Sequence, residues 1–140
     1  MPAIQGYTTQ RPPLARLVRI LLVDEDSTDR DYYRNVLEGQ GYQVRTCPSF
    51  GDALQRLLSE KFDFVVMDQG SDRFEWRAVV EHAAGPDRRT PVLVLARSHD
   101  MVRYLEAMQL GAVDYLEKPL SASQLSRVVK THLLNRTVAA

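Results

Sequence analysis

Hydrophobic positions along the chain follow two alternating rhythms. Predominantly apolar runs occur at 18–23, 62–67 and 91–96, interrupted only by Arg19 in the first and Asp63 in the second. Runs without in–out alternation suit strands buried on both faces of a parallel sheet. A fourth segment, 42–47, alternates apolar and polar, and a short fifth spans 113–116. Between these runs, apolar residues recur every three to four positions, the mark of a helix with one buried side. The stripes are Tyr32, Tyr33, Val36 and Leu37; Phe50, Ala53, Leu54, Leu57 and Leu58; Trp76, Val79, Val80 and Ala83; Val102, Leu105, Ala107 and Met108; and Leu125, Val128, Val129 and 132–134.

Punctuation agrees with this rhythm. Ser27 or Thr28 can cap the first helix, with Asp29 and Asp31 near its positive end. Gly39 and Gly41 close it, Ser49 opens the second, and Gly85-Pro86 stops the third. The fourth starts near His99 and ends at Gly111 in a left-handed cap, and Ser121 caps the fifth. Five strands alternating with five helices imply right-handed crossovers and an α/β domain with helices on both faces of a parallel sheet. Residues 1–17 form a polar, proline-containing arm, 18–136 the domain and 137–140 a tail.

Composition narrows the function classes. The 140 residues carry 18 basic and 18 acidic side chains, which argues against general nucleic-acid binding. The charges are unevenly placed: residues 1–23 and 119–140 hold no acid, so 24–118 carries 18 acids against 12 bases, a net of −6. An acidic centre suits a cation site. No apolar run approaches the length of a membrane span. Cys47 is the single cysteine, so no internal disulfide can form; a reducing cytoplasm is expected, with Cys47 as a core residue.

The candidate chemistry lies at strand ends. Asp24 and Glu25 follow the first strand, Asp68 the third and Lys118 the fifth. In an open parallel sheet these positions share one rim, where ligands gather. Hard cations such as magnesium take carboxylate oxygens. An aspartate held between a metal and an ammonium can accept a phosphoryl group, because both cations offset its charge.

Three segments, in this order and at these separations, are similar to the receiver domains of bacterial response regulators: 20–26 (Ile-Leu-Leu-Val-Asp-Glu-Asp), 63–68 (Asp-Phe-Val-Val-Met-Asp) and 111–120 (Gly-Ala-Val-Asp-Tyr-Leu-Glu-Lys-Pro-Leu). The resemblance covers 19–134 and implies a flavodoxin-like (βα)5 fold with strand order 2-1-3-4-5. It also implies Asp68 as phosphoacceptor, and Mg2+ held by Asp24, Glu25, Asp68 and the backbone carbonyl of Gly70. Lys118 would contact the phosphoryl group, Pro119 would follow a cis bond, and Tyr115 would be the switch aromatic. The implied partners are a histidine kinase or phosphotransfer protein and a downstream effector or fused output domain, with a homodimer through the last helix region as a further expectation. Direct nucleic-acid contact and a membrane are not expected.

The chain departs from that family pattern at the switch. Ala96 stands where a threonine or serine hydroxyl is usual, and Arg97 where a small residue is usual. Asp72 and Glu75-Trp76 replace a proline and an Asp-Gly pair after the acceptor. Arg97 could supply donors to the phosphoryl oxygens or block the site. Two other readings compete. A pseudo-receiver would keep the fold and signal without phosphorylation. A haloacid-dehalogenase-type phosphatase would use Asp24 in Asp24-Glu25-Asp26-Ser27-Thr28 as nucleophile, but such enzymes need a later acid and none follows Lys118. The expectation is therefore a signalling domain and not an enzyme.

Overall fold

A computed structural model describes residues 17–70 and 75–139. Five parallel strands form one sheet: β1 (Arg19–Val23), β2 (Gln43–Cys47), β3 (Phe64–Asp68), β4 (Val92–Ala96) and β5 (Asp114–Glu117), in the order β2-β1-β3-β4-β5. The helices are α1 (Ser27–Gly39), α2 (Phe50–Ser59), α3 (Glu75–Ala84), α4 (Met101–Leu110) and α5 (Ala122–Ala139). This is the expected flavodoxin-like topology. β3 and β4 are buried along their whole length because helices cover both faces.

Strand alternation sorts the core into two layers. Leu21, Val23, Val65, Met67, Val92 and Val94 face α2, α3 and α4. Ile20, Leu22, Phe64, Val66, Leu93 and Leu95 face α1 and α5. Each of these side chains is at most 1% exposed, and burying one contributes about 1.5–3 kcal/mol. Together they fix the register and hence the rim.

Several local expectations are corrected. α1 is capped by Asp26, whose carboxylate accepts the Thr28 and Asp29 N–H groups, rather than by Ser27 or Thr28. Asp100 caps α4 in the same way, so that helix starts at Met101 instead of near His99. Gly111 does close α4 at φ 108°, and Ser121 caps α5 by accepting from the Gln124 N–H while Gln124 accepts from the Ser121 N–H. Leu58, Val102 and Leu105, placed on buried stripes by their spacing, are exposed. Helical periodicity sets a direction but not the width of the covered stripe, and α4 buries only Ala107 fully. α5 continues to Ala139 and takes in most of the segment assigned as a tail. The arm, apart from Leu17, and the substituted position Asp72 lie outside the described residues.

Candidate functional site

Register brings the site together. Val23 pairs with Met67 and Asp68 with Leu95, so Asp24 and Asp68 leave neighbouring strands side by side. The Lys118 N–H donates to the Ala96 carbonyl at 2.7 Å, which sets the lysine beside the end of β4. The following Lys118–Pro119 bond is cis, as the resemblance implies. Tyr32 and Tyr33, on α1, hold this turn by bonding the Leu120 carbonyl at 3.0 Å and the Leu120 N–H at 3.2 Å.

The Lys118 ammonium sits among three carboxylates. It lies 2.8 Å from Asp24 Oδ2, 2.8 Å from Asp29 Oδ2 and 2.7 Å from Asp68 Oδ1. The first two contacts are directed hydrogen bonds; the third is a charge contact out of line, so buried Asp68 Oδ1 keeps no directed hydrogen bond. Asp68 Oδ2 accepts the Gly70 N–H at 2.7 Å. Burial pulls the lysine's pKa down, but its contacts with Asp24, Asp29 and Asp68 outweigh this and raise it above the ordinary value. Burial raises the Asp24 pKa, against the hydrogen bonds from Lys118 and the Asp26 N–H.

Asp24, Glu25, Asp26, Asp68, Gly70 and Arg97 line one open cleft of about 410 Å³. Its floor requires glycine at 70: φ is +78°, and a Cβ there would meet the Phe50 ring at 2.9 Å. Among the described residues, no three acidic, histidine or cysteine side chains are gathered closely enough to hold a metal. Glu25 is exposed and Lys118 occupies the position between Asp24 and Asp68, so the expected ligand set lines the cleft without converging. In donor chemistry it still fits magnesium: hard oxygens on one open face, one of them a buried oxygen without a directed hydrogen bond.

The β4 side is built differently. Ala96 is 5% exposed and offers no hydroxyl. Arg97 lines the same cleft as Asp68 but pairs with α1 and its cap, bonding Asp26 Oδ2 at 2.7 Å and approaching Asp29 Oδ2 at 3.8 Å. The Asp26 pKa is lowered by the Asp29 N–H, Arg97 and the Thr28 N–H, in that order. Tyr115 is 2% exposed, points inward, and donates its hydroxyl to Gln69 Oε1 at 2.6 Å. Its ring meets His99 and Tyr104 edge-on, with centroids 5.5 and 6.1 Å away. The Gln69 N–H in turn bonds the Leu95 carbonyl at 2.7 Å.

Sequence reasoning missed Asp29 as the third partner of Lys118 and Gln69 as the partner of Tyr115. The sequence places Asp29 in the first turn of a helix that starts at the rim, and that position is the signal for its contact with Lys118. For Gln69, a polar residue directly after the acceptor was the only hint.

A five-stranded 2-1-3-4-5 sheet with acids after β1 and β3 and a lysine before a cis proline defines the class. The family model described as "Response regulator receiver domain" matches residues 20–130, and the chain belongs to that family. Among its relatives, the response regulator MprA of Mycobacterium tuberculosis is 32% identical over 120 residues, covering 86% of this chain and 52% of the relative. The transcriptional regulatory protein ZraR of Salmonella typhimurium is 28% identical over 116 residues, covering 83% of this chain and 26% of the relative. The chain thus spans about half the length of the mycobacterial relative. The crystal structure of a CheY-like receiver domain from Methanospirillum hungatei superposes with a TM-score of 0.81 at 24% identity, over 89% of this chain and 100% of that one.

Proposed function

We propose that the chain accepts a phosphoryl group on Asp68 from a phosphohistidine of a kinase or phosphotransfer protein, and passes the signal on through protein contacts. The observation that carries this reading is the buried Lys118 ammonium 2.7 Å from the Asp68 carboxylate. In the transfer, an Asp68 oxygen attacks phosphorus in line. The phosphorus–nitrogen bond to the donor imidazole breaks, its electron pair leaves with the imidazole, and an acyl phosphate forms. Lys118 neutralises charge on the phosphoryl oxygens, and the Gly70 N–H holds the carboxylate in orientation. Bound Mg2+, held by Asp24, Glu25, Asp68 and the Gly70 carbonyl, would supply further charge stabilisation. The output is an effector protein or a fused domain; relatives named as transcriptional regulators favour the latter. The absence of a membrane-spanning helix among the described residues is consistent with a cytoplasmic site of action.

Incubation with acetyl phosphate and magnesium, followed by intact mass, tests the reading. One labile phosphoryl group per chain is expected, absent from Asp68→Ala. Steady turnover of an aryl phosphate would instead favour the phosphatase. Ala96, the Arg97–Asp26 ion pair and the inward Tyr115 favour a second reading, the pseudo-receiver, which predicts no label at all.

A further inference from the structure

The open edge of the sheet is basic. Four arginines from four elements converge there: Arg19 of β1, Arg34 of α1, Arg45 of β2 and Arg56 of α2 line a cleft of about 530 Å³. Their side chains are 33%, 39%, 46% and 43% exposed respectively, so each is partly held rather than free in solvent. One carboxylate, Glu60, serves three of them, at 2.6 Å to Arg19, 3.4 Å to Arg45 and 3.1 Å to Arg56. Arg19 is fixed further by the Lys61 carbonyl at 2.9 Å and by the Phe62 ring beneath it. Arg34 pairs separately with Asp31 at 3.3 Å and with Glu38, itself part of the cleft lining, at 4.0 Å. Glu60 alone serves the other three guanidiniums, so the Arg19–Arg45–Arg56 side keeps an excess of positive charge, a preorganised setting for carboxylates.

The backbone at this cleft is also unpaired on one side. β2 is an edge strand, with the Gln43 N–H bonded to the Val18 carbonyl and the Cys47 carbonyl to the Asp24 N–H. Alternate residues serve a parallel ladder, so Val44 and Thr46 direct their N–H and C=O groups outward. Among the described residues no strand pairs with them. Arg45 pairs in register with Leu21 and so shares the α2 side with Arg56, whereas Arg34 stands on the α1 side.

We propose that this edge takes an extended acidic segment of a partner protein, added as a strand beside β2. Side chains of an added strand alternate between the two faces. Acids at alternate positions would meet Arg45 and Arg56, and an acid on the other face would meet Arg34. Charge argues against two other occupants. A second copy would bring a second Arg45 to the same edge, and residues 1–16 of this chain carry Arg11 and Arg16 but no acid. None of the residues lining this cleft lines the Asp68 cleft, so the inference does not depend on phosphorylation.

The test is fluorescence anisotropy with a labelled peptide alternating glutamate and valine. Controls are the same peptide carrying two prolines, a lysine version, and inorganic pyrophosphate as competitor. Binding should weaken as salt rises, fail for the proline and lysine peptides, and fall at least about 10-fold in Arg45→Glu. Melting of that variant checks its fold, and Arg34→Ala, on the other face, should show a smaller loss. Absence of binding, equal binding of the proline peptide, or complete displacement by pyrophosphate would overturn strand addition. A concentration-dependent dimer abolished by Arg45→Glu would assign the edge to a second copy and overturn it as well.

Discussion

Asp68 is approached from two sides that differ in kind. From β1 and β5 come Asp24 and Lys118, both buried and tied to each other at 2.8 Å, with Asp29 of α1 completing the cluster. From β4 come Ala96, whose methyl side chain offers no donor to the site, and Arg97, 68% exposed and turned to the α1 cap. The first side supplies the cation that the proposed phosphoryl transfer onto Asp68 would use. The second side carries no hydroxyl, and Tyr115 of β5 bonds Gln69. Under the proposed function, acceptance and switching would be separable, because different strands would provide them.

That contrast can be broken most severely at Asp68 itself. Asp68→Asn should abolish phosphoryl labelling in the mass experiment, while Arg97→Ala keeps it. If labelling depended on Arg97 as strongly as on Asp68, the two sides would not be separable.

Lys118→Met should come next in size. It leaves Asp24 and Asp68 buried without their shared cation, at a cost of about 3 kcal/mol, read as a lower denaturation midpoint. Magnesium should restore more stability to this variant than to the parent chain, since the carboxylates then lack the cation that pairs them. The sign with pH follows from the raised lysine pKa. The lysine's contribution is present in full below the ordinary lysine pKa and is lost only as pH rises through the elevated folded value. The difference between parent and variant should therefore be flat across neutral pH and shrink in strong alkali.

On the β4 side the effects are smaller. Tyr115→Phe removes the bond to Gln69 and should cost about 1 kcal/mol. It should also loosen the His99–Tyr104–Tyr115 cluster, read as faster amide exchange at the start of α4. Arg97→Ala should shift acid unfolding least. Asp26 has a lowered pKa, so its contribution is present above the ordinary carboxylate range and lost as pH falls through the folded value. Without Arg97 that loss should begin at a slightly higher pH, while the helix N–H groups preserve most of the effect.

The two sides were also unequally legible in the sequence. Asp24, Asp68 and Lys118 could be placed at one rim because each ends an apolar run, and buried parallel strands leave little freedom of register. The Gln69–Tyr115 bond and the Arg97–Asp26 pair could not be placed. Both depend on the direction taken by a side chain in a loop or at a strand end, which no hydrophobic period encodes. The same limit explains Val102 and Leu105, whose spacing on α4 matched a buried stripe although the helix packs through Ala107 with Tyr104, Met108 and Leu110 around it. Glu25, placed at the rim by its adjacency to Asp24, does line the cleft, with its side chain exposed.

The most direct test of separable acceptance and switching is an amide NMR titration with beryllium fluoride and magnesium, comparing the parent chain with Ala96→Thr. Large shifts are expected at Asp68, Gly70 and Lys118 in both proteins. Weak shifts are expected at Tyr115 and α5 in the parent, where the tyrosine is already inward, and larger ones in the variant, whose β4 ends in a hydroxyl. A hydrogen bond to a charged group is worth about 1.5–3 kcal/mol, or one to two powers of ten in the bias between states. Full, saturating shifts at Tyr115 and α5 in the parent chain, unchanged by Ala96→Thr, would contradict that separation.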